Sequence, residues 1–165
     1  MRIALDTNRL TDLFQGDAAL AAFLGTCDEV WIPFVVLAEM KAGFYGSTRQ
    51  TQNEALRAHL LARETVAILF ASRETTEQYA RLFVQLKRAG TPVPDNDLWI
   101  APVAIEHDLT LATRDRHFDK LPQLGARWDE VEARRAQQCA SGRWRRTEHR
   151  FDTRPDWGLN SQKSH

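Results

Sequence analysis

Four acidic residues stand where their carboxylates could hold a metal ion. Asp6 and Asp115 each follow a predicted strand, Asp97 lies in the first turn of a predicted helix, and Glu39 lies within another helix. In an open parallel sheet, ligands bind outside the carboxyl ends of the strands, so a parallel fold can gather these side chains at one edge. Neighbouring carboxylates resist joint ionisation, and a hard cation such as Mg²⁺ removes that conflict. This pattern predicts metal-assisted chemistry on phosphate esters, in which a bound cation activates water and neutralises phosphate charge.

Each of these carboxylates also has a simpler explanation. Asp6 and Asp115 are suitable helix caps, and Asp97 suits the positive end of a helix dipole. Glu39 is compatible with a solvated helix face, although its apolar neighbours Val35 to Met40 suggest partial burial, which is costly for an unpaired charge. The four residues together are therefore more specific than any one of them. The sequence contains no Ser-His-Asp order, glycine-rich phosphate loop or Cys/His cluster that competes with this interpretation.

Short apolar runs alternate with amphipathic segments over most of the chain. Strands are predicted at 3–5, 30–32, 66–70 and 109–112. Helices are predicted at 7–15, 18–24, between Pro33 and Gly46, at 48–63, between Ser72 and Gly90, and at 96–107, with a short helical turn at 117–121. This alternation indicates an α/β domain built on a parallel sheet.

Composition narrows the class of protein. The 165 residues, 43% of them hydrophobic, suit one domain with a core of ordinary size and a tail. Cys27 and Cys139 form neither a disulfide framework nor a zinc pattern, which favours reduced thiols in a cytoplasmic protein. The N-terminus enters a strand at once, so we expect no signal peptide, and no run of 18 apolar residues predicts a membrane span.

Four segments that contain the acidic residues resemble a known family when they are taken in order. They read ALDTN at 4–8, PFVVLAEMKAG at 33–43, NDLWIA at 96–101 and LATRD at 111–115, with His117 and Phe118 following. In order and spacing the set is similar to PIN-domain ribonucleases, specifically the VapC-type toxins of type II toxin–antitoxin pairs. The resemblance covers roughly residues 1–130, which we expect to form a PIN-like nuclease domain.

The resemblance implies both a fold and a function. The implied fold is a three-layer α/β sandwich with a central parallel sheet of four to five short strands, and the implied activity is a Mg²⁺- or Mn²⁺-dependent endoribonuclease. Asp6 and Asp97 would be the main metal ligands. The full implied site consists of Asp6, Glu39, Asp97 and Asp115, supported by Asn8 and Thr113. It also implies a homodimer, a VapB-type antitoxin that covers the acidic pocket, and a structured RNA substrate such as tRNA or ribosomal RNA.

Three residues depart from the family pattern. Pro102 lies inside the helix of Asp97, where it removes one backbone hydrogen bond at a cost of roughly 3 kcal/mol and is expected to kink the segment. Asp108 stands where a helix-ending glycine is common. Asp95 adds a carboxylate beside the site, which we interpret as a loop cap. We interpret His107 and His117 as helix-end or surface histidines rather than as catalytic bases.

Two other interpretations remain open from the sequence. One is a metal nuclease of similar fold that acts on DNA, and the other is a PIN-like module that binds RNA or a partner without cleaving it. Parallel cleavage assays on RNA and DNA separate the two enzymes, and a small antitoxin gene immediately upstream would favour the toxin. Candidate RNA-contacting residues are Arg114, Arg116, Arg143, Arg145 and Arg146.

Charge is distributed unevenly, although the chain as a whole has no net charge. Residues 1–130 hold 14 Lys and Arg against 18 Asp and Glu, a balance of −4, and residues 131–165 hold 8 against 4, a balance of +4. We expect residues 131–165 to be a basic extension, partly helical and then disordered. Such asymmetry is a hint of nucleic-acid contact, although a solvated tail explains it equally well.

Deletion of residues 133–165 tests whether the basic extension contributes to RNA binding. If its arginines contact phosphates, the shortened protein binds RNA more weakly and its affinity depends less steeply on salt, because fewer counterions are released on binding. Titrations of RNA at several salt concentrations measure this slope. If the salt dependence of RNA affinity is the same for the shortened protein and the full chain, the extension makes no contacts with RNA phosphates.

Overall fold

A four-stranded parallel sheet forms the centre of the molecule in the computed structural model, which describes residues 1–91 and 93–124. The strands are β1 (Arg2–Leu5), β2 (Glu29–Pro33), β3 (Val66–Leu69) and β4 (Thr110–Ala112). The helices are α1 (Thr7–Phe14), α2 (Ala18–Leu24), α3 (Phe34–Tyr45), α4 (Gln50–Leu61), α5 (Arg73–Arg88) and α6 (Asp95–Glu106), followed by a 3₁₀ turn at Arg116–Lys120. The α/β fold predicted from the sequence, a parallel sheet flanked by helices, is confirmed.

Strand β1 occupies an inner position in the sheet, whose order is β3-β2-β1-β4. Ile3 pairs with Val30 on one side and with Thr110 on the other. Ile3, Ala4 and Leu5 are completely buried, as expected for a parallel sheet covered by helices on its faces. The residue that follows β1 is therefore held in the middle of the carboxyl edge of the sheet.

The end of β4 lies directly beside the end of β1. Leu5 pairs with Ala112, and the next backbone N–H, that of Asp6, donates to the Ala112 carbonyl at 3.0 Å. Asp6 and Thr113 thus leave the sheet as neighbours. This register brings together two segments that are more than 100 residues apart in the chain.

Helix α6 carries Asp97 in its first turn, as the sequence predicted, and it continues through Pro102 without interruption. Pro102 is buried together with Leu98, Ile100 and Val103, so the ring packs in the core although it donates no backbone hydrogen bond. Pro102 therefore does not end the helix that carries Asp97.

Two expectations about the ends of α6 have different outcomes. Asp95 is not a loop cap: it is the first residue of α6, and Pro94 occupies the N-cap position. Asp108 has a φ of 51°, the left-handed conformation that glycine adopts freely at helix ends and that Asp tolerates better than most residues. It performs the chain reversal between α6 and β4.

Helix α5 packs along α6, and a set of hydroxyl groups ties their ends together. Ser72 and Thr75 form a capping box at the start of α5. Both hydroxyls also donate to the carboxylate of Glu106 in the last turn of α6, that of Ser72 at 2.6 Å. In the part of the chain described, no helix combines the length and hydropathy that a membrane crossing requires.

Replacement of Ser72 by alanine tests this junction. The Ser72→Ala variant loses a helix cap and a hydrogen bond to Glu106, so we expect it to be destabilised by about 1 kcal/mol, with Tm lower by about 3 °C. Thermal unfolding measures the change. Thr76→Ala is a matched control, because the exposed Thr76 hydroxyl donates to the Arg73 carbonyl of its own helix and, within residues 1–91 and 93–124, contacts no residue of α6 by a hydrogen bond. Equal losses in both variants would show that the cap contributes nothing specific.

Candidate metal centre

Asp6 is the most buried of the four acidic residues, with 3% of its surface exposed. It caps α1, and its Oδ1 accepts a hydrogen bond from the Thr7 N–H at 2.6 Å. Its Oδ2 accepts from Asn8 Nδ2 at 2.6 Å and from Thr113 Oγ1 at 2.5 Å. One carboxylate, that of Asp6, therefore both caps α1 and lies buried among other polar groups. The helix-cap explanation of Asp6 does not exclude a role in a charged site.

Asn8 and Thr113 hold the Asp6 carboxylate in one orientation. Thr113 is completely buried, and besides donating to Asp6 its hydroxyl accepts from Asn8 Nδ2 at 3.2 Å and from the Asp115 N–H at 2.9 Å. Asn8 Oδ1 accepts from the Arg114 N–H at 3.2 Å. The loop after β4 is thereby fastened to α1.

Glu39 is drawn to the same edge by contacts that sequence reasoning missed. Its carboxylate accepts a hydrogen bond from the Thr7 hydroxyl and another from Asn96 Nδ2 at 2.6 Å. Thr7 lies beside Asp6 and Asn96 lies beside Asp97, so Glu39 of α3 links the segments that carry two other carboxylates. Thr7 belongs to the ALDTN segment and Asn96 to the NDLWIA segment, both recognised from the sequence. No rule of residue spacing predicts that these two side chains point toward α3.

Asp97, Asp115 and His117 lie close enough to share a cation: one ligand atom from each lies within 4.8 Å of the others. Asp115 caps the 3₁₀ turn, where its Oδ1 accepts from the His117 N–H at 2.8 Å. His117 Nδ1 lies 3.0 Å from that oxygen and 3.8 Å from Asp97 Oδ2. The structure therefore places at the site a histidine that we had interpreted as a helix-end or surface residue, and its half-exposed ring fits both descriptions.

Burial and neighbouring carboxylates raise the pKa values of Asp97 and Asp6. Burial raises the pKa of Asp97 to about 6, and repulsion by Asp6, Asp115 and Glu39 adds to the rise. Burial also raises the pKa of Asp6, against the hydrogen bonds from Thr113 and Thr7, with smaller contributions from Asp115 and Glu39. Glu39 and Asp115 thus act electrostatically on both Asp6 and Asp97, and Asp6 also acts on Asp97.

An arginine pair flanks the site. Asp12 of α1 accepts from Arg9 at 3.1 Å and from the guanidinium of Arg114 at 2.8 Å. Arg114 is therefore engaged in an ion pair with Asp12, a partner that the sequence did not suggest, while Arg116 is exposed next to Asp115. The other candidate RNA contacts, Arg143, Arg145 and Arg146, lie outside the described residues, as does the whole predicted extension at 131–165.

Asp97, Asp115 and His117 could hold a metal ion together, and Asp6 and Glu39 are held by hydrogen bonds at the same edge of the parallel sheet. Comparison with known proteins makes the class definite, because the PIN domain family matches residues 3–124. Ribonuclease VapC1 of Haemophilus influenzae strain R2866 is 30% identical over 125 residues, covering 73% of this chain and 92% of the relative. Ribonuclease VapC2 of Rickettsia felis is 30% identical over 118 residues, covering 71% and 84%.

Solved structures agree with these sequence relatives. VapBC2 from Rickettsia felis, bound to a DNA fragment from its promoter, superposes with a TM-score of 0.72 at 28% identity and covers 78% of this chain and 100% of that one. VapBC-1 from nontypeable Haemophilus influenzae superposes with a TM-score of 0.68 at 27% identity and covers 75% and 95%. The chain belongs to the PIN-domain family, within the group of the VapC ribonucleases.

The elevated pKa of Asp97 predicts how the stability of the metal-free protein varies with pH. The folded protein holds the Asp97 proton more tightly than the unfolded chain does, whose Asp pKa is about 3.9. The free energy of unfolding therefore falls as pH rises from about 4 to about 6 and remains lowered above that. In EDTA we expect Asp97→Asn to have a higher Tm than the unmodified protein at pH 7.5 and an equal one at pH 4.

Thermal unfolding at the two pH values measures this difference. Asp108→Asn is the control, because Asp108 is exposed at the amino end of β4, opposite the acidic edge, and Asn tolerates its left-handed backbone. A Tm difference for Asp97→Asn that is the same at both pH values would contradict the prediction.

Proposed function

We propose that this VapC-family protein is a metal-dependent endoribonuclease toxin that hydrolyses RNA phosphodiester bonds, with Asp6, Glu39, Asp97 and Asp115 as its metal site. One observation carries the proposal. Four carboxylates, from the N-cap of α1, from α3, from α6 and from the loop after β4, lie near one another where burial and mutual repulsion raise the pKa of Asp97 to about 6. A protein gains nothing in stability from such crowding, whereas a divalent cation converts it into a binding site.

The residues present fit a divalent cation. Oxygen ligands suit Mg²⁺ and Mn²⁺, and Asp97 and Asp115 already lie at coordinating separation. Asp6 uses both oxygens in hydrogen bonds, but a carboxylate offers about four lone-pair sites, so it keeps capacity for a metal. When bound, the cation supplies a water of lowered pKa and neutralises charge on the phosphodiester.

The protein's own contribution is orientation. Thr7, Asn8 and Thr113 fix Asp6, and Thr7 and Asn96 fix Glu39, so these carboxylates do not need to reorganise when substrate arrives. Preorganised charge of this kind supplies the largest share of catalysis in many enzymes. The cation is Mg²⁺ or Mn²⁺ in this proposal, and the RNA is a structured one such as tRNA or ribosomal RNA.

The proposal includes partners. The similar structures named above are VapBC complexes, which supports a VapB-type antitoxin as the partner that covers the acidic pocket. A homodimer, which the family resemblance implies, and a cytoplasmic location, which the two cysteines favour, complete it. The exposed Arg116 beside Asp115 is the described arginine best placed to meet an RNA phosphate, because Arg114 is paired with Asp12.

Cleavage of RNA by the purified full-length protein tests the function. We expect cleavage of total RNA with Mg²⁺ or Mn²⁺, none with EDTA, and at least about 100-fold slower cleavage by Asp6→Asn, because the substitution removes a charge from the metal site without changing its size. Asp108→Asn makes the same chemical change at the opposite edge of the sheet and is expected to cleave normally.

Three results would overturn parts of the proposal. Cleavage that survives both EDTA and Asp6→Asn excludes the metal mechanism. Faster cleavage of DNA than of RNA identifies a DNA nuclease instead. Binding of RNA without cleavage under any metal identifies a non-catalytic module. Sequencing of RNA ends after brief expression, with Asp6→Asn as the reference, then identifies the RNA and the bond that is cut.

A further inference from the structure

The ring of His117 faces two carboxylates of the proposed metal site, an orientation that its position in the sequence does not predict. It follows Asp115 by two residues in the 3₁₀ turn, and its ring is 44% exposed on one side while Nδ1 is buried against the carboxylates. That nitrogen lies 3.0 Å from Asp115 Oδ1 and 3.8 Å from Asp97 Oδ2. Nδ1 is thus the atom of the ring that points into the acidic cluster.

Nδ1 of His117 forms no hydrogen bond with any of the residues that the structure describes, in spite of this proximity. The nearest oxygen, Asp115 Oδ1, already accepts from the backbone N–H of His117 at 2.8 Å. A neutral imidazole carries a lone pair on one of its two nitrogens. If that nitrogen is Nδ1, a lone pair and two carboxylates face the same small space, and a cation between them satisfies all three.

The separation of Nδ1 from Asp115 Oδ1 matches that of adjacent ligands around one metal ion. With metal–ligand bonds of about 2.1 Å in octahedral geometry, adjacent ligand atoms are about 3.0 Å apart and opposite ones about 4.2 Å apart. The distances from Nδ1 to Asp115 and Asp97 are 3.0 and 3.8 Å, and all three ligand atoms lie within 4.8 Å of one another. The separation of Nδ1 from Asp97 Oδ2, 3.8 Å, lies between the two values, so this pair would have to move apart by about 0.4 Å to become opposite ligands.

We propose that His117 Nδ1 is a direct ligand of the cation, together with Asp97 and Asp115, so that the site binds first-row transition metals such as Mn²⁺ more tightly than Mg²⁺. The inference rests on the proposed function, because it concerns the same site. Its physical basis is the ligand type: Mg²⁺ strongly prefers oxygen and gives up water reluctantly, whereas imidazole nitrogen is a good ligand for first-row transition metals.

Metal binding to the untagged, full-length protein tests this proposal without reference to activity. Isothermal titration calorimetry with Mn²⁺ and with Mg²⁺ measures the two affinities. We expect His117→Ala to weaken Mn²⁺ binding by at least about 10-fold and Mg²⁺ binding by less than about 3-fold, because the lost ligand is a nitrogen. The half-exposed ring makes the substitution tolerable for the fold.

Pulsed electron paramagnetic resonance gives a second, direct readout. Mn²⁺ bound to the unmodified protein is expected to show modulation from a coupled ¹⁴N nucleus, and this signal is expected to vanish in His117→Ala. His107→Ala is the matched control, because His107 stacks on Trp31 at the C-cap of α6 and belongs to no described metal-binding group. It should retain both the Mn²⁺ affinity and the ¹⁴N signal.

The outcomes separate this inference from the proposed function. Bound Mn²⁺ without nitrogen coupling, or equal losses of Mn²⁺ and Mg²⁺ affinity in His117→Ala, overturns the role of His117 even if the protein cleaves RNA. Nitrogen coupling that depends on His117 in a protein that cleaves no RNA establishes the ligand while the ribonuclease proposal fails. A selective loss of Mn²⁺ together with loss of the signal supports the proposal.

Discussion

Repulsion among carboxylates at one edge of a parallel sheet is the constraint around which the rest of this structure is arranged. A buried carboxylate such as Asp6 is unfavourable unless it is hydrogen-bonded, and Asp6 receives three hydrogen bonds, from Thr7, Asn8 and Thr113. Burial, together with repulsion by Asp6 and the other carboxylates, keeps the pKa of Asp97 raised. Ionisation of Asp97 in the folded protein therefore carries an electrostatic cost, which protonation relieves.

The fold sustains this cost because the site stands on a rigid base. Strand β1 is buried between two parallel neighbours, and half of the residues of α6 are buried, including Pro102. The apolar residues buried in β1 and α6 stabilise the fold, and this stabilisation offsets the repulsion among the carboxylates at the ends of these elements. Functional sites are commonly stabilised in this way by the structure around them. Asp12 adds a lateral support, since it holds Arg114 and with it the loop that carries Asp115.

Much of this arrangement could be predicted from residue types and spacing. The strands and helices follow from runs of apolar residues, and their ends were displaced by no more than about two residues from the expected positions. Asp6, Asp97 and Asp115 stood out because carboxylates at strand ends and in first turns are local features, and Glu39 stood out because a charged residue lies among apolar neighbours in its helix. The departure at Asp108 was equally visible, since a left-handed residue after a helix has a sequence signature.

What the sequence alone determined is the order of elements, the parallel sheet and the identity of the acidic residues, because these depend on periodicity and on short motifs. Only the tertiary structure decided which side chains meet. Glu39 is oriented by Thr7 and Asn96, Arg114 by Asp12, and His117 Nδ1 faces Asp97 and Asp115. These contacts join segments far apart in the chain or depend on the rotation of one ring, and no local pattern encodes either.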